Sequence, residues 1–503
     1  MGPVGDQGRA TLDTNVFEAD DEVLVRRPPA NPDRMAFFGD LHVHTVYSFD
    51  AYAFGTLATP HDAYRFARGE PLTHPGGFEM QLKQPLDFYA VTDHAMFLGV
   101  MQAAGDTSTA FSKLDIAKPI NDLNAPDNRG MLSVLPRIRA FATFLPRIIS
   151  DVMDETIDRE VVLDITRGAW QDIIDAAELY NEPGRFTTFV AYEYTSSSDD
   201  SGNLHRNVIF KNEVVPKQPV SYLDAHREWK LWQLLDQGCR QSGSGCDVLA
   251  IPHNSNISNG RMFAVDYPGA ASEEEQAARA KLRIEMEPII EIMQHKGDSE
   301  CRNGVPGVLD SEDELCDFER FENSAFAAIT GSPNPDECYS GRFADRVPHL
   351  GPNCLSRLSY ARYALTEGLK EEARIGVNPF KFGLSASTDT HNALAGGVEE
   401  RSYPGHLGKG DETASIRVSY DREYPGNASN NPGGLIGVWA EENDRAAIFD
   451  AMRRKEVFGT SGPRIVPRFF GGWNLPATLC EDPNPAARAD ALSVAMGRAL
   501  APP

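Results

Sequence analysis

A chain of 503 residues, 41% hydrophobic and 24% charged, has the length of two or three average domains or of one barrel with large insertions, and the composition of an ordinary globular protein. Its net charge of −25 argues against a nucleic-acid groove, which needs a basic stripe to displace counterions. Small phosphorylated substrates stay allowed, because bound metals would invert the local field, and with no run of about 18 apolar residues nothing is expected to span a bilayer.

Residues 1–34 read as a polar, Pro-rich tail, and Met1–Ala10 lacks the apolar core of a signal peptide. An apolar strand follows at Phe37–Leu41, and a second at Leu86–Thr92. Between about Met96 and Arg167 strand alternation stops. Apolar residues recur there at helical spacing around Ile138, Phe141, Leu145 and Ile149, which predicts a helical insertion. Trp170, Ile173, Ile174 and Ala177 make one face of a helix ending near Pro183-Gly184. Strands are predicted at Thr187–Tyr192, Asn207–Phe210, Val248–Ile251, Ile289–Gln294 and Phe382–Ser387, with an irregular insertion at 296–353 and a helix at Leu355–Leu369. A last strand, Leu435–Val438, precedes a helix near Arg445–Arg454, and 465–503 reads as a C-terminal appendage. Strands alternating with helices predict an α/β fold with a parallel sheet, and the count suits a barrel over residues 35–464.

Chemistry-bearing residues fall at or near the ends of these strands: Asp40, His42 and His44, then Asp50, Asp93-His94, Glu193, His205, His253, His295 and Asp389-Thr390-His391. Side chains alternate along a strand, so a His-x-His sends two imidazoles to one side. One such tripeptide is weak evidence. The whole series at strand ends reads as a multinuclear metal site. Arg206 and Lys296 follow ligand-type histidines and are candidate oxyanion holders, although a solvated or ion-paired side chain is the commoner role for each. His295 is a candidate outer acid or spare ligand, and Asp93 and Asp40 are candidate carboxylates orienting the ligands. His61, His74, His226, His349 and His406 are expected on surfaces or in loops.

On the motifs Asp40-Leu41-His42-Val43-His44-Thr45, Thr92-Asp93-His94, Glu193, His253 and Asp389-Thr390-His391, the chain resembles the PHP superfamily of metal-dependent phosphoesterases, in a large exported bacterial branch of mostly unassigned function. The resemblance covers about Arg34 to Arg464. It implies a distorted seven-stranded barrel with two or three divalent ions (Zn, Mn or Fe). His42, His44, Glu193 and Asp389 would hold the first, Glu193, His205 and His253 the second with Glu193 bridging, and Asp50, His94 and His391 the third. Such a cluster supplies hydroxide near neutral pH and neutralises phosphoryl oxygens. The expected activity is hydrolysis of small phosphate mono- or diesters, with Glu193 and Asp389 central to it. A hydrolase of sulfate esters, amides or lactones on the same metals is the first rival. A non-catalytic metal-dependent module is disfavoured by the full set of competent ligands, and a structural zinc protein would use cysteines.

Of seven cysteines, six fall in close pairs: Cys239 with Cys246, Cys301 with Cys316, and Cys338 with Cys354. Spacing alone leaves unrelated buried thiols open. The loop-rich setting of the last four favours disulfides, the first pair being the less certain, with Cys480 left over. Disulfides persist in oxidising compartments, so the protein is expected to be exported, periplasmic or extracellular, its leader removed or never included.

Overall fold

The computed structural model describes residues 14–15, 30–128, 134–198, 202–303, 305, 313–318, 356–418 and 431–501. Ten strands in chain order frame the site: β1 (Met35–Asp40), β2 (Phe88–Tyr89), β3 (Thr187–Thr188), β4 (Ala191–Tyr194), β5 (Arg206–Phe210), β6 (Val248–Pro252), β7 (Ile289–Gln294), β8 (Gly383–Ala386), β9 (Leu435–Ala440) and β10 (Val457–Thr460). They form a mixed α/β fold. One sheet runs β10-β9-β1-β2-β3, a second β4-β5-β6, and a third pairs β7 with β8.

The expected parallel sheet is only part of this arrangement. Pairs β1–β2, β2–β3 and β7–β8 are parallel, whereas β4–β5–β6, β9–β1 and β9–β10 are antiparallel. For β4–β5 the physical reason is connection length: 195–205 is too short for a crossover helix, so the chain returns alongside β4 in the opposite direction. The single strand predicted at Thr187–Tyr192 is broken at Phe189-Val190. There the chain passes from one sheet to the next: the Phe189 amide donates to the Tyr89 carbonyl (3.0 Å), and the Phe210 amide donates to the Val190 carbonyl (3.0 Å).

Beyond their formal ends, strands continue to pair through the residues that carry the chemistry. The Asp389 amide donates to the His42 carbonyl (2.9 Å) and the His44 amide to the Thr390 carbonyl (2.8 Å), joining the exits of β1 and β8. The Glu193 amide donates to the Asp93 carbonyl (3.0 Å) and the Ala95 amide to the Glu193 carbonyl (2.8 Å), joining the exit of β2 to β4. Under this layer lies an apolar core to which all three sheets contribute, through Phe37, Phe88, Ala191, Ile209, Ile251 and Ile289 among others. Gly39 is required by this packing, since a Cβ there would overlap the Phe88 ring.

The predicted helical insertion contains the helices Val100–Gly105 and Val134–Met153 and the start of Arg159–Leu179. Its buried face is Ala140, Phe144, Ile148 and Val152, with Phe141, Leu145 and Ile149 half-buried beside it. The expected stripe was displaced because Arg137 takes the core position one turn earlier. Its guanidinium donates to the carbonyls of Ala53 (3.0 Å) and Leu123 (2.8 Å) and to Asn124 Oδ1 (2.6 Å), which anchors the helix Phe49–Ala53 that carries Asp50 in its first turn. Trp170, Ile173, Ile174 and Ala177 are all buried, as expected, on a helix that stops at Leu179. The helix predicted at Leu355–Leu369 runs Ala361–Ile375 and ends at Gly376, which adopts the left-handed conformation.

Cys239–Cys246 and Cys301–Cys316 are disulfide-bonded, with Cα–Cα distances of 5.0 and 5.1 Å, and Cys480 is exposed and free. Cys338 and Cys354 lie outside the described residues. Each bridge is expected to stabilise the fold by about 2–4 kcal/mol. Non-reducing peptide mapping checks the pairing; free thiols at all four positions would contradict it. Among the described residues no helix is long and apolar enough to cross a membrane.

Candidate metal centre

The turn after β1 is where the site is set. Asp93, fully buried, accepts from the Thr45 amide (2.6 Å), Thr45 Oγ1 (2.5 Å) and Ser48 Oγ (2.8 Å). That holds His44 and Asp50 at fixed positions on either side of the turn. Asp40 does the same for the Asp-x-His segment, accepting from Thr388 Oγ1 (2.6 Å) and the Gly396 amide (2.9 Å). Asp389 has a left-handed backbone (φ 54°), uncommon for a residue with a side chain and kept where surrounding structure over-determines it. That conformation aims one carboxylate oxygen at His42 and His44, just beyond the end of β1.

Three groups of ligand-type atoms result. In the deepest, Asp389 Oδ1 lies 3.1 Å from both His42 Nε2 and His44 Nε2, and Glu193 Oε2 lies 3.6 and 3.2 Å from the same nitrogens. Ligands about 2.1 Å from a tetrahedral ion stand about 3.4 Å apart, so these spacings match the edges of a coordination shell. In the second, Glu193 Oε1 lies 2.5 Å from His205 Nδ1 and 3.1 Å from His253 Nε2. In the third, Asp50 Oδ2 lies 3.0 Å from His94 Nε2 and 2.9 Å from His391 Nε2. Glu193 Oε2 is also 3.1 Å from His94 Nδ1. One buried carboxylate thus meets five imidazoles.

Proton counting tests whether cations fit. His391 Nδ1 is 2.8 Å from the Asp389 carbonyl, which only accepts, so Nδ1 carries the proton. Nε2 then faces an Asp50 oxygen at 2.9 Å, and the pair needs a positive charge between them, which a proton or a metal ion would supply. His42 Nε2 and Glu193 Oε2 repeat the pattern: both are buried and neither makes a hydrogen bond in the described structure. The local field points the same way. Burial opposes the charged form of His94, but Asp50 and Glu193 outweigh it and raise the imidazole to about 9. Burial, with His391 beside it, lowers His44 to about 3, and burial with His42 beside it lowers His253 to about 3. For Glu193 burial is again opposed, by His94, His205 and His253, and the carboxyl is held well below its usual range. The donor set is the imidazole and carboxylate mixture that divalent transition metals take.

Every ligand named from sequence is therefore brought into one of these groups. Lys296 pairs through Nζ with Asp389 Oδ2, to which Gln294 Nε2 also donates (2.6 Å), and His295 Nε2 lies 3.4 Å from the same oxygen. Arg206 is a correction. Its guanidinium is buried on the opposite side of β5, donating to Glu287 Oε1 (2.8 Å) and the Leu204 carbonyl (2.6 Å) beside Trp232. It is a structural ion pair and does not reach the cluster. His406 and His74 are also not surface residues: His406 stacks on His295 at 4.0 Å and lies 3.2 Å from Asp411 Oδ2, and His74 bonds the Leu407 carbonyl at 3.0 Å. His61 is half-buried against Asp172 and His226 is exposed, while His349 lies outside the described residues.

Sequence reasoning missed Glu291, 3.1 Å from His42 Nδ1 through each of its oxygens. The signal was present in Ile289-Ile290-Glu291-Ile292: a carboxylate inside an apolar strand cannot be solvated and needs a buried partner.

Fold and site together define a mixed α/β protein with buried His/Asp/Glu clusters spaced to hold metal ions. A family model described as "Protein of unknown function (DUF3604)" matches residues 31–502, and the chain belongs to that family. No curated protein and no solved structure matches it.

Proposed function

We propose that this protein is an exported, metal-dependent hydrolase of small phosphate esters, with two or three divalent transition ions (Zn, Mn or Fe) and the distorted barrel of the PHP superfamily. The observation that carries the reading is Glu193, whose two oxygens face two different sets of imidazoles, the arrangement a bridging ligand needs. The strand exits that pair through His42–Asp389 and Asp93–Glu193 support the barrel. The disulfides support export.

His42, His44, Glu193 and Asp389 would hold the first ion, Glu193, His205 and His253 the second, and Asp50, His94 and His391 the third. Such ions lower the pKa of water towards neutrality and draw charge from phosphoryl oxygens. The protein's own contribution is orientation and access. The first group is at most 2% exposed, whereas the side chains of Asp50, His205 and Lys296 are 16, 20 and 22% exposed. Substrate therefore approaches over Asp50, His205 and Lys296. Lys296 is the cation at that rim, placed to turn from Asp389 to a phosphoryl oxygen.

Replacing Lys296 by Ala is expected to lower turnover by on the order of 10²–10³ with metal content intact, as read by steady-state kinetics beside elemental analysis. Loss of metal with no further kinetic defect would contradict the role. Asp93→Ala, which unties the turn, is expected to cost roughly 10- to 100-fold in activity without emptying the site. A substrate panel tests the reaction class, and exclusive cleavage of sulfate esters, amides or lactones would move the assignment to that rival.

A further inference from the structure

Each of the six imidazoles in the three groups turns one nitrogen towards a carboxylate oxygen that a metal ion would share, and five of them, His42, His44, His253, His94 and His391, have side chains no more than 9% exposed, against 20% for His205. What holds the other nitrogen differs. For His44 it is the Ser48 hydroxyl (2.8 Å) and for His391 a backbone carbonyl (2.8 Å). His253 Nδ1 makes no hydrogen bond in the described structure, and His94 Nδ1 lies between Thr195 Oγ1 and Glu193. His42 alone among these five is backed by a carboxylate outside the three groups, Glu291, with both oxygens at 3.1 Å from Nδ1.

Glu291 is 3% exposed and His42 1%. Placing an ionisable carboxylate in the middle of β7 is costly unless a hydrogen-bonded, charge-compensated partner repays it. A carboxylate accepting the proton of one imidazole nitrogen fixes the tautomer and ring angle, and makes the other nitrogen a stronger donor to a metal. The other nitrogen here is His42 Nε2, which faces Asp389 Oδ1 and Glu193 Oε2.

We propose that Glu291 is the positioning residue of the deepest group: it holds His42 as the Nδ1-protonated tautomer, aims Nε2 at the position shared by His44, Glu193 and Asp389, and makes that position the tightest-binding of the three. The inference rests on the metal reading above. Glu291, His42 and His253 are also close enough to form a ligand triad themselves. That alternative predicts a different result.

The test uses the full chain as wild type, Glu291→Gln and Glu291→Leu, each stripped and reloaded with Zn(II). Equivalents are measured by elemental analysis and stepwise affinities by chelator competition, with the visible spectrum of the Co(II) form as a report on ligand geometry. Saturated equivalents are expected to be the same in all three. The tightest step should weaken roughly 10- to 100-fold in Glu291→Leu and less in Glu291→Gln, whose amide oxygen still accepts the Nδ1 proton, and the Co(II) bands should move in Glu291→Leu. If Glu291→Leu does not fold, the near-isosteric Glu291→Gln must still show the weakened step. An unchanged tightest affinity in the variants overturns the proposal, as does loss of a whole equivalent in Glu291→Gln, which would make Glu291 a ligand. Failure of the wild type to bind even one equivalent would overturn the metal reading itself, and this proposal with it.

Discussion

Glu193→Ala is expected to release more than one metal equivalent per chain and to take hydrolysis below detection. A ligand that serves one ion costs that ion when removed. Glu193 presents Oε1 to His205 and His253 and Oε2 to His42, His44 and His94, so its loss opens two positions together. It also leaves several buried imidazoles without their shared acceptor, each a desolvation penalty of about 1–3 kcal/mol. A loss beyond the 10- to 100-fold expected of an orienting residue such as Asp93 is therefore required. Elemental analysis of the folded variant beside wild type decides it, and equal metal content would refute the bridging role.

The second large effect is an opposite pH response of stripped and loaded protein between pH 6.5 and 8. His94 is raised to about 9 by Asp50 and Glu193 against the effect of burial, while in the unfolded chain it titrates near 6.5. A raised folded pKa gives stability that is fully present below the unfolded value and is lost as pH rises through the folded one. His94 should therefore withdraw about 1.4 kcal/mol per pH unit in the upper part of this window, from about pH 7 to 8, while His44 and His253, lowered to about 3, oppose it only near the unfolded value of about 6.5. Burial lowers Lys455 to about 8, so its opposing contribution sets in near the top of this window and grows above it. Metal binding runs the other way. His94 must shed its proton to serve as a ligand, so affinity at the third group should rise about tenfold per pH unit. Denaturant melts of chelated protein and metal titrations at pH 6.5 and 8 check the two slopes. A stripped protein that becomes more stable towards pH 8 would contradict the assignment of His94.

Most of the candidate ligand set was legible because its members sit in short motifs at or near the ends of apolar strands, where local patterning is strongest, although His205 precedes β5 and Asp50 lies on a short helix. His42, His44, Glu193, Asp389 and His391 needed only strand placement to be named. Partners across the chain were less readable. Arg206 stood next to a ligand in sequence, but alternation along β5 turned it towards Glu287 and Trp232. His406 was assigned to a loop, and a loop it is, yet one folded over His295 and held by Asp411, contacts no local pattern encodes. Glu291 was hidden for the reverse reason, since its strand was read for its apolar neighbours alone. Strand direction also escaped, because periodicity is silent about how a chain returns; only for β4 and β5 does the short 195–205 connection decide it. The Val134–Met153 helix was placed correctly but with its buried stripe displaced, a consequence of Arg137 bonding to carbonyls of distant segments.

The most direct test of the account is one preparation of wild-type protein, loaded and quantified for metal, assayed against phosphomonoesters, phosphodiesters and sulfate esters before and after chelation. The account predicts two or three equivalents of a divalent transition metal per chain, together with phosphate-ester hydrolysis that chelation abolishes and metal restores. A folded protein that takes up less than one equivalent, or a loaded one that leaves every phosphate ester intact, would contradict it.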